Sequence, residues 1–375
     1  VPGILLLMPK IIPIRNSSQH LADRLQRIFL IPGKACNFSC RYCYASQKCS
    51  PSIKKAFTPE TVRFLQEIAD KPEYAERTGK DRLSIMYFGG EPLLYFRELQ
   101  ELFKVVNRPN VFRWETVTNG SLLDPQKVDW FNTNGFRVCI SHDGINTIKT
   151  RGIDVFDDPK IVDCYKALIN PAIETVLTAY SQDIFGFMNH MKCLLGDKFK
   201  ARFMFLATTK ETPLDLVDYD FVAWKKTCAR IMERYLAGIK GCDTALVKKH
   251  LNLLRKFAQT HRKSWDCNVR TGRIRLTLDG KLLDCSYNVC GTLLDPNPLD
   301  LHNELMEKKS QASWNQNKGI CITCGFYPLC HGHCARVSLN SAWMNQCRFM
   351  KIFFSAICEM LQYHPEVLNA DLVVK

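Results

Sequence analysis

The sequence has no apolar run approaching the ~18 residues that cross a bilayer as a helix, so a helical membrane protein is excluded. Its first residues, Val1-Pro2-Gly3-Ile4-Leu5-Leu6-Leu7-Met8, lack a basic n-region and an A-x-A site and do not read as a signal peptide. Internal repeats and low-complexity tracts are absent, which excludes a solenoid and a disordered scaffold. Acid is scarce beside base: 37 Asp and Glu stand against 51 Lys and Arg, a net charge of +14. Lys and Arg are nevertheless dispersed, with no long block. The surplus therefore reads as a basic surface suited to an acidic peptide or an acidic electron donor, and nucleic acid is not an expected partner.

What the sequence has in abundance is cysteine, 18 in 375 residues. In a long chain without a secretion signal this favours metal sites over disulfides, hence a reducing, cytoplasmic and anaerobic setting. Length suggests two or so domains with sizeable cores. Hydrophobic content of 46% and charged content of 23% are those of a soluble globular protein.

Strand-like runs at Arg27–Ile31, Arg82–Phe88, Phe112–Val117, Arg137–Ser141, Glu174–Thr178 and Ala201–Leu206 alternate with helical patterns. One helix opens at Thr58-Pro59-Glu60 with Val62, Leu65 and Ile68 on one face. Such alternation predicts an α/β fold with a parallel sheet and crossover helices. From about 216 the texture is helical, with Phe221, Trp224, Cys228, Ile231, Met232 and Tyr235 at spacings of 3 and 4, then Leu246, Leu251, Leu254 and Phe257. Ile274, Leu276 and Leu278 next alternate with polar residues ahead of a hairpin turn at Asp279-Gly280. A cysteine-rich stretch follows, and the apolar run Phe349–Leu361 predicts a closing helix.

Directly after the first strand stands Cys36-Asn37-Phe38-Ser39-Cys40-Arg41-Tyr42-Cys43, a C-x3-C-x2-C array. A four-iron four-sulfur cluster is usually held by four thiolates, so three local ones leave one iron open. A zinc loop is the alternative on spacing alone. After the second strand comes Gly89-Gly90-Glu91-Pro92, whose glycines permit close backbone approach and whose carboxylate suits an ammonium. Thr116-Val117-Thr118-Asn119-Gly120 ends the third strand; Ser141-His142-Asp143-Gly144 ends the fourth, followed by Arg151. A second array, Cys321-x2-Cys324-x5-Cys330-x3-Cys334 with Cys347, is preceded by Cys267 and by Gly280-x4-Cys285. Paired structural zinc sites are the alternative there.

Taken together these motifs resemble the radical S-adenosylmethionine (SAM) enzymes with a SPASM extension. The resemblance implies a partial (β/α)6 TIM-like barrel, then a small Cys-rich SPASM domain with a β-hairpin and helices. The expected organisation is an extension at 1–28, the barrel at 29–215, a helical bridge at 216–262, the SPASM domain at 263–350 and a terminal helix at 351–375. Cys36, Cys40 and Cys43 would hold the cluster that binds SAM. Tyr42, Gly89, Gly90, Glu91, Pro92, Thr118, Asn119, Ser141 and Arg151 would contact SAM, with Tyr42 by the adenine, Asn119 and Ser141 near the ribose, Glu91 on the amino group and Arg151 on the carboxylate. Two auxiliary [4Fe-4S] clusters would follow, making three. Cys267, Cys285 and Cys334 would hold the inner one, with Cys290 the nearest candidate for a fourth ligand. Cys321, Cys324, Cys330 and Cys347 would hold the outer one. His331 and His333 would hydrogen-bond sulfides rather than ligate iron.

The same resemblance implies hydrogen abstraction from a peptide and an oxidative crosslink, with a flavodoxin or ferredoxin-type donor. The protein would act as a monomer. A formylglycine-forming sulfatase maturase and a small-molecule dehydrogenase are alternatives; a non-catalytic metal or nucleic-acid-binding protein is a third. Ser286 stands where sulfatase maturases carry Asp, which counts against the first alternative. The general base is open among Tyr287, Asp284 and His142, although His142 is expected to be structural. With only 1–28 ahead of the barrel, a substrate leader would dock on the barrel, on an edge strand or on a separate protein. Cys49, Cys139, Cys164, Cys193, Cys228, Cys242 and Cys358 are assigned no chemistry.

Overall fold

The computed structural model describes residues 25–43, 57–208, 211–260, 272–284, 289–295, 324–330 and 340–368. Six strands pair in parallel in sequence order: β1 (Arg27–Ile31), β2 (Leu83–Tyr87), β3 (Phe112–Thr118), β4 (Arg137–Ser141), β5 (Pro171–Leu177) and β6 (Ala201–Phe205). Crossover helices α1 (Pro59–Asp70), α2 (Phe96–Val106), α3 (Pro125–Thr133), α4 (Pro159–Ala167) and α5 (Ile184–Leu195) separate them. The strands lie where the apolar runs predict. β5 starts three residues earlier than read, at Pro171, because the first position of a strand tolerates a missing N–H.

Helix starts are chemically marked. Thr58, Asp124, Asp158 and Asp183 each accept from a first-turn N–H, and a proline follows the first three. Alternation along the strands gives the sheet two faces. Ile28, Leu30, Ile85, Val138, Ile140 and Ile173 join Leu65, Leu99, Leu102 and Phe131 in the main core beneath the helices. Met86, Val117, Cys139 and Ala172 fall in a separate small cluster on the other, concave face, with Phe29 and Phe88 against it. The result is an α/β fold whose parallel sheet forms a partial barrel.

Beyond β6 come α6 (Phe221–Leu236) and α7 (Cys242–Thr260), then β7 (Arg273–Thr277), β8 (Lys281–Leu283) and β9 (Val289–Thr292). The hairpin turns at Gly280, whose φ of +80° only glycine adopts cheaply. Its partner strand is a finding of the structure. β7 runs parallel to β1, so a single nine-stranded sheet continues from the barrel into the hairpin, in the order β6-β5-β4-β3-β2-β1-β7-β8-β9.

The closing helix α8 (Ser341–Tyr363) begins eight residues before the apolar run Phe349–Leu361, because Asn340 caps it by accepting from the Trp343 N–H at 2.8 Å. Phe349 is stacked between Tyr219 and Trp224, at ring separations of 3.9 and 4.1 Å. The Trp224 indole N–H donates to the Phe349 carbonyl at 2.9 Å. Among the described residues no helix is long and apolar enough to cross a membrane.

Candidate active site

All the motifs of the barrel meet at the carboxyl ends of β1 to β4, where ligand sites of parallel barrels form. The cysteine loop leaves β1 and is fastened to the loop after β2. Gly90 N–H donates to the Gly33 carbonyl at 3.1 Å and Glu91 N–H to the Ala35 carbonyl at 2.8 Å. The two glycines make this possible. A Cβ on Gly89 would lie 2.5 Å from the Gly33 carbonyl oxygen, and one on Gly90 would lie 2.2 Å from that of Ala35. Sequence reasoning assigned their small size to ligand approach; here the close neighbour is the cysteine loop itself.

Glu91 is buried and serves as a structural acceptor. Its Oε1 receives Leu93 N–H at 2.9 Å and the Thr118 hydroxyl at 2.6 Å; its Oε2 receives Asn119 N–H at 2.7 Å. Burial raises its pKa, and these donors oppose the rise. One lone pair on Oε2 remains for a further donor. Pro92 is buried and opens the short 3-10 helix Pro92–Tyr95. The Tyr95 hydroxyl accepts from Ala35 N–H at 3.3 Å, tightening the same joint.

The three thiols lie within one another's electrostatic reach. Cys36 is exposed; Cys40 and Cys43 are half-buried. Two cationic or amide donors face their sulfurs. Asn119 Nδ2 stands 4.0 Å from Cys36 Sγ, and Arg151 Nη1 stands 3.9 Å from Cys40 Sγ. Phe38 N–H donates to Cys36 Sγ at 3.4 Å. Burial pushes the Cys40 thiol up to about 11, with Arg151 opposing. Inward donors of this kind fit thiolate ligands, which metal binding deprotonates. Among the described residues no three ligand side chains close on a point as a single ion requires.

Around the loop the structure adds residues that sequence reasoning quoted without assigning. Asn37 accepts from Asn119 Nδ2 and donates to the Ser121 hydroxyl, both at 2.8 Å. Asp143, only 1% exposed, accepts from the Tyr42 hydroxyl at 2.6 Å, the Thr150 hydroxyl at 2.7 Å, Arg151 Nε at 3.0 Å and Val176 N–H at 3.2 Å. Desolvation works against the charge on Arg151, but Asp143, Tyr42 and Cys40 together outweigh it and the guanidinium is more basic than usual. Its position in the Ser141-x-Asp143-Gly144 motif was the available signal. Ser141 is half-buried at the end of β4.

Of the three residues named for the general base, His142 is held by hydrogen bonds at both ring nitrogens. It is 1% exposed, and Gly144 N–H donates to its Nδ1 at 3.0 Å. The ring proton therefore sits on Nε2, facing Asp154 Oδ1 at 2.8 Å. Neither nitrogen has a free lone pair for a substrate proton. Asp284 is fully buried at the end of β8. Tyr287 lies outside the described residues, as do Ser286, Cys49, Cys267, Cys285, Cys321, Cys334, His331 and His333.

Of the second array, Cys324, Cys330 and Cys347 are described. The short helix Tyr327–Cys330 packs on α8, which carries Cys347. Burial raises the Cys347 thiol, and Cys324 adds to the rise from within electrostatic range. Cys290 Sγ lies 3.4 Å from the Leu282 carbonyl oxygen within the hairpin, and the other residues expected beside it, Cys267, Cys285 and Cys334, lie outside the described residues. Cys139, Cys164 and Cys228 are buried.

Comparison with known proteins follows the same lines. A family profile described as the Radical SAM superfamily matches residues 30–171. The chain is 22% identical to the cysteine-type anaerobic sulfatase-maturating enzyme of Clostridium novyi over 334 residues, 80% of this chain and 85% of that protein. It is 23% identical over 136 residues to the radical SAM cyclopropyl synthase TigE of Paramaledivibacter caminithermalis, which is 33% of this chain but only 28% of that relative's length. Among solved structures, native anSMEcpe with bound AdoMet aligns with a TM-score of 0.62 at 19% identity, over 92% of this chain and 99% of that one. Streptococcus suis SuiB bound to S-adenosylmethionine aligns with a TM-score of 0.55 at 14% identity, over 85% and 77%. At these identities the structural likeness speaks for the fold.

Proposed function

Because this chain is a radical SAM enzyme related to SPASM-type sulfatase maturases and peptide maturases, we propose that it oxidatively modifies a peptide, forming a carbon–carbon, thioether or ether crosslink. SAM and a [4Fe-4S] cluster are the cofactors the family requires. Cys36, Cys40 and Cys43 would hold the cluster. Glu91, through the open lone pair of Oε2, would take the SAM ammonium, and Thr118, Asn119, Ser141 and Tyr42 would form the rest of the cradle. When bound, the pair supplies a carbon-centred radical that removes hydrogen from the substrate. The chain's own part is to fix the loop: the Gly33–Gly90 and Ala35–Glu91 bonds set its height, and Asp143 sets Tyr42 and Arg151 beside it.

The observation carrying this reading is that independent strand ends present donors to the cysteine sulfurs, from Asn119 and from Arg151. A peptide substrate is supported by relatives of this fold whose structures contain peptides: anSMEcpe with Cp18Cys peptide and SuiB with precursor peptide SuiA. Auxiliary clusters are part of the proposal, with Cys347 on α8 near Cys324 as support. Reconstituted protein is then expected to hold about twelve irons. Cys347→Ala should lower that to about eight with SAM cleavage retained, whereas Cys36→Ala should abolish cleavage. Co-expression with a short peptide encoded beside the chain should remove two hydrogens from it by mass spectrometry; an unchanged mass for such a peptide counts against crosslinking.

A second reading, formylglycine formation, is favoured by the 80% coverage against the sulfatase-maturating enzyme. Ser286, directly after Cys285, departs from that group's Asp. Conversion of a sulfatase-motif peptide to the aldehyde would select it.

A further inference from the structure

Arg151 closes the short helix Thr147–Arg151, which lies against the cysteine loop. Two bonds from Arg41 fasten the helix there: its backbone N–H donates to the Thr150 carbonyl at 2.9 Å and its Nη1 to the Lys149 carbonyl at 3.1 Å. Arg41 directly follows Cys40 in the chain, so these bonds hold the end of the helix beside the Cys40 sulfur.

The Arg151 side chain is buried, and its guanidinium is committed on two sides. Nε donates to Asp143 Oδ2 at 3.0 Å and Nη2 to Asp143 Oδ1 at 3.4 Å, a side-on bidentate pair. Nη1, on the remaining side, stands 3.9 Å from Cys40 Sγ. The cation also lies over the Tyr42 ring at 5.3 Å, and the Tyr42 hydroxyl donates to the same Asp143 at 2.6 Å. Turning the guanidinium away from the sulfur would break the Asp143 pair.

This geometry differs from the role the motif implies. A contact to the SAM carboxylate calls for a free bidentate edge, and Asp143 already occupies the Nε–Nη2 edge. At the opposite end of the strands Arg113 and Arg27 also meet a buried carboxylate, Glu115, at 3.0 and 3.4 Å. Arg151 is distinguished by the third nitrogen, which faces a cysteine of the loop. Cys36 receives a neutral amide, from Asn119; Cys40 receives a cation. Hydrogen bonds and charge at the sulfurs tune the potential of an iron–sulfur cluster. Reduction adds negative charge to the cluster, so a cation fixed at a ligand sulfur favours the reduced form.

We propose that Arg151 is a charged donor to the Cys40 sulfur that raises the reduction potential of the SAM-binding cluster, and that Asp143 is the positioning residue that aims it. This deepens the reading of Cys36, Cys40 and Cys43 as cluster ligands and rests on it.

The test uses the full-length protein, reconstituted anaerobically. The SAM-binding cluster is identified by the electron paramagnetic resonance signal that changes when SAM is added. In a potentiometric titration, Arg151→Gln should lower the reduction equilibrium constant of that signal about 10-fold, ~59 mV for one electron. A second measurement needs no substitution. With arginine labelled by nitrogen-15 at its guanidino nitrogens, pulsed resonance on the same signal should show a weak nitrogen-15 coupling. Asp143→Asn removes the charge that aims the guanidinium and should weaken or abolish this coupling. An unchanged potential in iron-loaded Arg151→Gln overturns the proposal, and an accompanying loss of SAM affinity would return Arg151 to the SAM carboxylate. Absence of the coupling in the unaltered protein overturns it too, and decides the matter if Arg151→Gln fails to fold. Full coupling in Asp143→Asn overturns the positioning role. Absence of any SAM-responsive signal in the unaltered protein would instead overturn the cluster reading itself.

Discussion

Asp143 takes on more than any other side chain near the cysteine loop. It accepts from Tyr42, Thr150, Arg151 and the β5 backbone at once. Removing it leaves the Arg151 guanidinium buried without its carboxylate, so Asp143→Ala should cost about 3–5 kcal/mol in anaerobic urea unfolding. Glu115 makes a pH prediction. Burial would raise its pKa, but Arg27, Arg113, Arg137 and Arg202 together outweigh that and the net shift is downward. Its contribution is therefore complete above the unfolded carboxyl value, about 4.3, and is lost as pH falls through the lower folded value. Because burial also weakens Arg27 as a base, the pair is worth less than its distance suggests. The stability gap between the unaltered protein and Glu115→Gln should shrink between pH 7 and pH 3 in denaturant titrations of the cluster-free protein; a constant gap would contradict the assignment. Sequence reasoning reached Arg151, Asn119 and Glu91 through their motifs. A motif points to ligand contact but does not show that a buried carboxylate such as Glu91 already has three donors.

At the scale of elements, the barrel strands and capped helices were legible because each carries a local signal: apolar runs with flanking turns, and Thr or Asp ahead of Pro. The hairpin was legible for the same reason, from its alternation and Asp279-Gly280. Its alignment beside β1 was not, since any free parallel edge accepts a strand. The joint between the cysteine loop and the loop after β2 gives the sharpest test at this scale. A Cβ on Gly90 would meet backbone oxygen, which cannot swing aside. Gly90→Ala should therefore break the Ala35–Glu91 bond and lose most of the iron on anaerobic reconstitution, read by iron analysis and cluster absorbance. Retention of full iron content would show that the loop height is set elsewhere.

Across the whole molecule, α8 ties the end of the chain to the helical segment after the barrel. Phe349 carries that contact, fully buried between Tyr219 and Trp224. Phe349→Ala should cost about 3–5 kcal/mol, seen as a lower midpoint of unfolding. The same helix brings Cys347 near Cys324, so, on the auxiliary-cluster reading proposed above, this variant should also lower the iron content.

The sequence alone determined the family chemistry, because thiolate spacing, glycine pairs and capped strand ends are local constraints that a fold must satisfy wherever it forms. Only the tertiary structure decided which groups those motifs serve. His142 is held between Gly144 and Asp154, and arginines dispersed along the chain collect at one mouth of the barrel. That gathering depends on strand register, a long-range property set by packing between segments far apart in sequence.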